Sequence, residues 1–285
     1  MASDIVITSD STTDLSPELR ERYNISVAPL GITLGDKVYT DGVDITPDDI
    51  YAHHAKTGEL PKTTATNVGD CLDFFKKFTE EGKTVIHFTI SSDMSSTYNN
   101  ACIAASELEN VYVIDTKNLS TGGGLLVVAA AEMLRDGLSA EEIVKKSTEL
   151  VPCVDASFVI DSLEYLYKGG RCSALAMFGA NLLKLKPCIQ VKNGKMDVSK
   201  KYRGKFEDVL KQYITEKAED YSDIVLDRVF ITHAGCDPEV AKNAAELAKK
   251  LAPFKEVFIT RAGCTVSSHC GANTLGILFI RKSPI

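Results

Sequence analysis

The 285-residue chain has no Cys-x-x-Cys pair among its eight cysteines, no Gly-x-x-x-x-Gly-Lys, no His-Glu-x-x-His and no Gly-x-Ser-x-Gly. These absences remove the familiar zinc frames, the nucleotide phosphate loop, the zincin helix and the hydrolase elbow. The cysteines are scattered through apolar segments and read as small buried hydrophobes of a reducing cytosol, not as a disulfide frame or metal site. Positive charge is also short: 32 Lys plus Arg face 39 Asp plus Glu, for a formal charge of −7. With no basic cluster to offset that balance, neither nucleic acid nor an anionic membrane surface is an expected partner. Apolar runs such as residues 122–131 fall short of the roughly 20 residues that cross a bilayer, so no membrane span is expected. Residues 1–7 carry no basic segment followed by a long apolar one, so no signal peptide is expected and the location implied is cytoplasmic. There is no repeat, low-complexity tract or extended linker.

Short apolar runs alternate with longer amphipathic ones, which predicts an α/β fold: two α/β domains with mostly parallel or mixed sheets. Residues 1–152 are expected to form the first domain and residues 153–285 the second. In the first, strands are predicted at 4–9, 84–90 and 111–115, and residues 25–40 read as one hairpin turning at Gly35-Asp36. Residues 58–70 read as a loop carrying Thr63, Thr64 and Thr66, because they follow neither period and are rich in turn formers. In the second, residues 173–183 read as a helix. Asn193-Gly194 marks a hairpin between 187–191 and 195–199, since Asn-Gly favours the type I′ turn.

The stretch Ser91-Ser92-Asp93-Met94-Ser95-Ser96-Thr97-Tyr98 lies between a predicted strand and a predicted helix. Free backbone N–H groups, hydroxyls and the positive helix end would converge there on an anionic guest. Ordinary capping explains the same residues equally well. His53 and His54 read as solvated; His87 and His233 read as core or edge residues. His269 sits in a run of small residues, 263–273, read as a loop able to line a cleft. Arg171 follows paired glycines and suits either an anion or the surface. A serine enzyme using Ser95 or Ser96 with His269 is the rival reading, although no carboxylate is evident to orient the histidine. No catalytic residue and no metal ligand is assigned.

Taken together, Ser9-Asp10-Ser11-Thr12-Thr13-Asp14-Leu15, Lys62-Thr63-Thr64, the 91–98 turn, Leu163-Glu164-Tyr165-Leu166 with Gly169-Gly170-Arg171, and His269 with Gly271 and Leu275-Gly276 resemble the DegV family of bacterial fatty-acid-binding proteins. The likeness spans nearly the whole chain. It implies a long-chain fatty acid such as palmitate, stearate or oleate, held between the two domains without any other cofactor. The second domain would form most of a tail tunnel, from 158–160, 175–183 and 277–280. The resemblance further implies that Thr63 and Ser95, Ser96 or Ser92 hold the carboxylate, and that Arg171 and His269 lie at the mouth. The protein would then be a carrier, not a catalyst, presenting its lipid to a separate fatty acid kinase that makes acyl phosphate for phospholipid synthesis. Ser96 stands where the family usually has glycine, Ala65-Thr66-Asn67 where it often has Gln-Pro-Ser, and Ala272-Asn273 where it has Pro-Gly. Burying a C16 chain at about 0.8 kcal/mol per methylene gives a gross gain on the order of 10 kcal/mol, enough to exceed the cost of association. An unpaired carboxylate would cancel much of that gain, so donors must converge on it.

Overall fold

A computed structural model describes residues 4–172 and 185–285. β1 (Ile5–Asp10) runs into a single 3-10 turn, Ser11–Thr13, and Ser16 then caps α1 (Pro17–Arg22) through the Leu19 N–H. The segment read as one hairpin is divided. β2 (Ser26–Ala28) pairs in parallel with β1, whereas β3 (Gly31–Leu34) and β4 (Lys37–Thr40) pair with each other in a separate sheet. The break falls at Pro29, which has no N–H to continue a ladder. α2 (Pro47–Thr57) starts with a reciprocal cap between Thr46 and Asp49.

Residues 62–64, expected in a loop, form β5 (Lys62–Thr64) against the free edge of β3, with Thr63 opposite Ile32. There follow α3 (Val68–Thr79), β6 (Thr84–Thr89), α4 (Thr97–Ser106), β7 (Val111–Asp115), α5 (Thr121–Arg135) and α6 (Ala140–Leu150). The second half comprises β8 (Val154–Ile160), α7 (Glu164–Gly169), β9 (Lys186–Lys192), β10 (Lys195–Tyr202), α8 (Phe206–Ala218), β11 (Arg228–Ala234), α9 (Pro238–Leu251), β12 (Glu256–Arg261), α10 (Cys264–Cys270) and β13 (Thr274–Ile280). The helix expected over 173–183 lies outside the described residues.

The fold is α/β. A parallel sheet of order β2-β1-β6-β7 comes from the first half and a mixed sheet of order β10-β9-β8-β13-β11-β12 from the second. One apolar core runs through both, joining Ile7, Phe88 and Ile114 to Phe158, Ile189 and Phe230. A second core lies on the other face of the mixed sheet, under α8 and α9. Strand alternation assigns the sides: Ala156, Phe158, Ile160 and Leu278 face the shared core, while Val159, Leu275, Ile277 and Phe279 face the second. Among the described residues no helix is long and apolar enough to cross a membrane.

Candidate functional site

Where the parallel sheet ends against the second half there is a cavity of about 610 Å³, within the ~300–1,000 Å³ usual for small-molecule sites. Thr63, Ser92, Ser95, Ser96, Arg171 and His269 all line it. Thr63 comes from β5, the serines from the turn between β6 and α4, Arg171 from the segment after α7, and His269 from α10. The stretch expected to be a loop around His269 is therefore a short helix, held by contacts that reach it from the first half of the chain.

The hydroxyls differ in what they already do. Ser95 Oγ accepts from the Thr97 N–H at 3.2 Å and lies 2.9 Å from Thr97 Oγ1, so it performs the capping at the start of α4. Ser96 occupies the N-cap position without a side-chain cap bond and is exposed. Capping thus falls to Ser95 and leaves the Ser96 hydroxyl without a cap bond. Ser92 Oγ accepts from Lys117 Nζ at 2.7 Å, which leaves its own proton available to a guest. The guanidinium of Arg171 donates to the Gly169 carbonyl at 2.8 Å and is exposed.

His269 Nε2 lies 2.9 Å from Thr63 Oγ1, and burial, reinforced by the Arg171 guanidinium, holds the imidazole down to about 4. It is neutral at pH 7. Its Nδ1 is buried with no partner among the described residues. A bare lone pair there costs less than a stranded N–H, so the favoured tautomer carries the proton on Nε2 and donates it to Thr63. The Thr63 proton is then free to point into the cavity. The closeness of α7 depends on Gly169, since a Cβ there would lie 2.6 Å from His269 Nδ1.

Among the described residues no serine–histidine dyad is formed: His269 Nε2 bonds a threonine, and its Nδ1 has no partner. No group of His, Cys, Asp and Glu among the described residues could hold a metal ion.

Beside the cavity lies a small apolar slot of about 30 Å³ that shares the wall residues Leu119, Val266 and Cys270 with it and is lined further by Ala156, Phe158, Ala234 and Leu278. Of the tail positions expected from sequence, Phe158 and Leu278 line this slot. Val159, Ile277 and Phe279 belong to the opposite core because alternate residues of a strand face opposite sides. Residues 175–183, also expected in the tunnel, lie outside the described residues. Sequence reasoning did not single out Leu30, Leu119 and Met196, which also line the cavity. Of these, Met196 could have been found from the Asn-Gly turn two residues before it, which carries β10 over the site.

A family model for the uncharacterised DegV family matches residues 4–282. A DegV domain-containing protein of Caldanaerobacter subterraneus is 32% identical over 287 residues, covering 98% of this chain and 99% of that protein. Among solved structures, a DegV family protein from Thermus thermophilus described by its fatty acid binding superposes with a TM-score of 0.88 at 28% identity, over 97% of this chain and 99% of that one. A stearic acid-binding protein from Eubacterium ventriosum superposes with a TM-score of 0.85 at 30% identity, over 97% and 98% of the two chains.

Proposed function

Because the chain belongs to the DegV family, we propose that it binds one long-chain fatty acid in the 610 Å³ cavity, its tail against the apolar wall that the cavity shares with the adjoining slot. The observation that carries this reading is one cavity walled on part of its surface by hydroxyls and elsewhere by Leu30, Ile90, Leu119, Met196 and Val266, with Thr63 and His269 bonded to each other in its polar part. Thr63 donates to the carboxylate from one side; Ser96 and Ser92 donate from the other, with Ser95 anchoring the turn that carries them. Several neutral donors spread the charge that a single cation would otherwise have to meet. Arg171, exposed at the mouth, adds long-range attraction for the anion.

On this reading the protein is a carrier that presents the headgroup to a separate fatty acid kinase. Arg171 and Ser96 are exposed where they line the cavity, so a carboxylate held beside them is the part that a partner enzyme could reach. Native mass spectrometry of the freshly purified protein tests the first statement: one lipid adduct, or uptake of added palmitate or oleate, is expected, and the absence of both refutes it. Co-purification of a kinase with the lipid-loaded but not the stripped protein tests the second.

A further inference from the structure

The Ser9-Asp10-Ser11-Thr12-Thr13-Asp14 stretch at the end of β1 does not touch the cavity, yet its side chains grip several of the cavity's walls. Asp10 Oδ2 accepts from the N–H of Ile90, the residue before the serine turn, at 2.7 Å. Ser11 Oγ accepts from the Leu30 N–H at 3.1 Å and donates to Asp41 at 2.9 Å. Asp14 accepts from Ser120 Oγ at 2.5 Å and from the Gly263 N–H at 2.8 Å. Asp41 accepts from the Cys264 N–H at 2.8 Å, the Thr265 N–H at 3.1 Å and Thr265 Oγ1 at 2.6 Å.

The last two carboxylates matter most. α10 has seven residues, well under the roughly 12–15 at which an isolated helix holds in water. Its N-cap residue is Gly263, which has no side chain to satisfy the first N–H groups. Asp14 and Asp41 supply that cap from 249 and 223 residues away in the chain. The same helix carries Thr265 and His269 to the cavity.

We propose that Asp14 and Asp41 are positioning residues of the lipid site: by capping α10 from the other half of the molecule they set the His269–Thr63 pair at the headgroup. This rests on the fatty-acid reading above. A purely structural role is separable from it by charge. Asp10, Asp14 and Asp41 are all buried, and their partners are hydroxyl and N–H groups. Asp155, equally buried, is instead paired with Lys217 and Arg281. The titratable groups facing Asp14 are Asp10 and Asp41, together with the Cys270 thiol, which burial holds up at about 12. Burial, with Asp41 and Asp10 adding to it, pushes the Asp14 carboxyl up to about 8 against the pull of Ser120 and Gly263. A fatty-acid carboxylate brings a further negative charge to this group, so ionisation of Asp14 opposes binding. Affinity therefore falls as pH rises through the Asp14 range.

The test is the affinity of a fluorescent C18 fatty acid for the parent, Asp14→Asn, Asp14→Ala and Asp41→Ala between about pH 6 and pH 9, with the His269 tautomer followed by nitrogen NMR. The parent is expected to lose about tenfold in affinity across the upper part of that range. Asp14→Asn carries no group that ionises at this position, so its affinity profile should be flat over the range in which the parent's falls. Asp14→Ala and Asp41→Ala should bind at least about tenfold more weakly and lose the His269 Nε2–H signature. Should either alanine variant fail to fold, the Asp14→Asn profile decides alone. The proposal is overturned if Asp14→Asn follows the parent's pH curve, or if folded alanine variants bind as the parent does. A parent that binds no fatty acid at any pH defeats the underlying reading and this one with it.

Discussion

His269 Nε2 and Thr63 Oγ1, 206 positions apart in the chain, meet at 2.9 Å and join α10 of the second half to β5 of the first. The contact commits the threonine oxygen as acceptor and leaves its proton for the ligand. Thr63→Val keeps the β-branched shape suited to β5 and removes only the hydroxyl. Fatty-acid affinity should fall by about 1.5–3 kcal/mol, the range for a hydrogen bond to a charged group. Thr63→Ser should retain most of it, and Thr63→Ala with Ser95→Ala should weaken lipid retention while leaving the fold intact. Isothermal titration with palmitate decides; unchanged affinity in Thr63→Val would place the headgroup elsewhere.

Gly194 at the tip of the β9–β10 hairpin makes the second crossing between the halves. Its carbonyl accepts from Ser91 Oγ at 2.8 Å, and Lys195 lies 3.7 Å from Asp93. Its φ is +80°, and a Cβ would fall 2.6 Å from Asp93 Oδ2 and 2.8 Å from Ser91 Oγ. Gly194→Ala therefore carries both backbone strain and a clash, expected to cost about 1–3 kcal/mol. Met196, two residues on, lines the cavity, so release of bound lipid should also accelerate. Thermal melting and a stopped-flow exchange assay check the two effects separately. A variant with parent-like melting and release would show that the hairpin tip does not hold the site closed.

These contacts mark where sequence reasoning reaches its limit. The α/β class, the Asn193-Gly194 hairpin and the strand-turn-helix around Ser91 follow from local periodicity and turn chemistry, which a single stretch of chain contains. The division of residues 25–40 between two sheets, the pairing of Thr63 on β3 and the helix beneath His269 do not. Each depends on a partner far away in sequence: the edge of β1, the edge of β3, and the carboxylates of Asp14 and Asp41. The six residues expected at the headgroup, all of which line the cavity, were legible as types and motifs. Their division of labour was not, because which of Ser95 and Ser96 caps α4 depends on where the folded turn hands over to the helix.

Phe158 belongs to the shared core, lines the slot beside the cavity and is nearly fully buried. Phe158→Ala should destabilise the protein by about 3–5 kcal/mol, through lost burial and the space left behind. That space adjoins a slot of only about 30 Å³, so it is available to a longer or more bent tail. Bound lipids extracted from the variant should shift toward such chains relative to the parent. An unchanged lipid profile in a folded variant would show that the tail does not run past Phe158.

His87 offers a test of acid stability away from the site. It is fully buried in β6, with Nδ1 2.9 Å from Thr8 Oγ1 and the Phe75 ring 5.0 Å away, and burial pushes it down to about 3. The folded state keeps it neutral while the unfolded chain takes up a proton below the ordinary value of 6.5. Its contribution is thus complete above about pH 6.5 and is lost progressively as pH falls toward 3. Asp10, pushed up to about 6 by burial, acts in the opposite direction, holding in the fold a proton that the unfolded chain releases above 3.8. From pH 6 down toward pH 4 the two therefore oppose each other, and below that the histidine acts with little opposition. Removing it with His87→Gln should flatten the acid limb by up to one proton, about 1.4 kcal/mol per pH unit. Urea unfolding at a series of pH values measures that slope directly. A variant whose acid limb is as steep as the parent's would mean that His87 is already protonated in the folded protein, and that the Thr8 contact is made by an imidazolium.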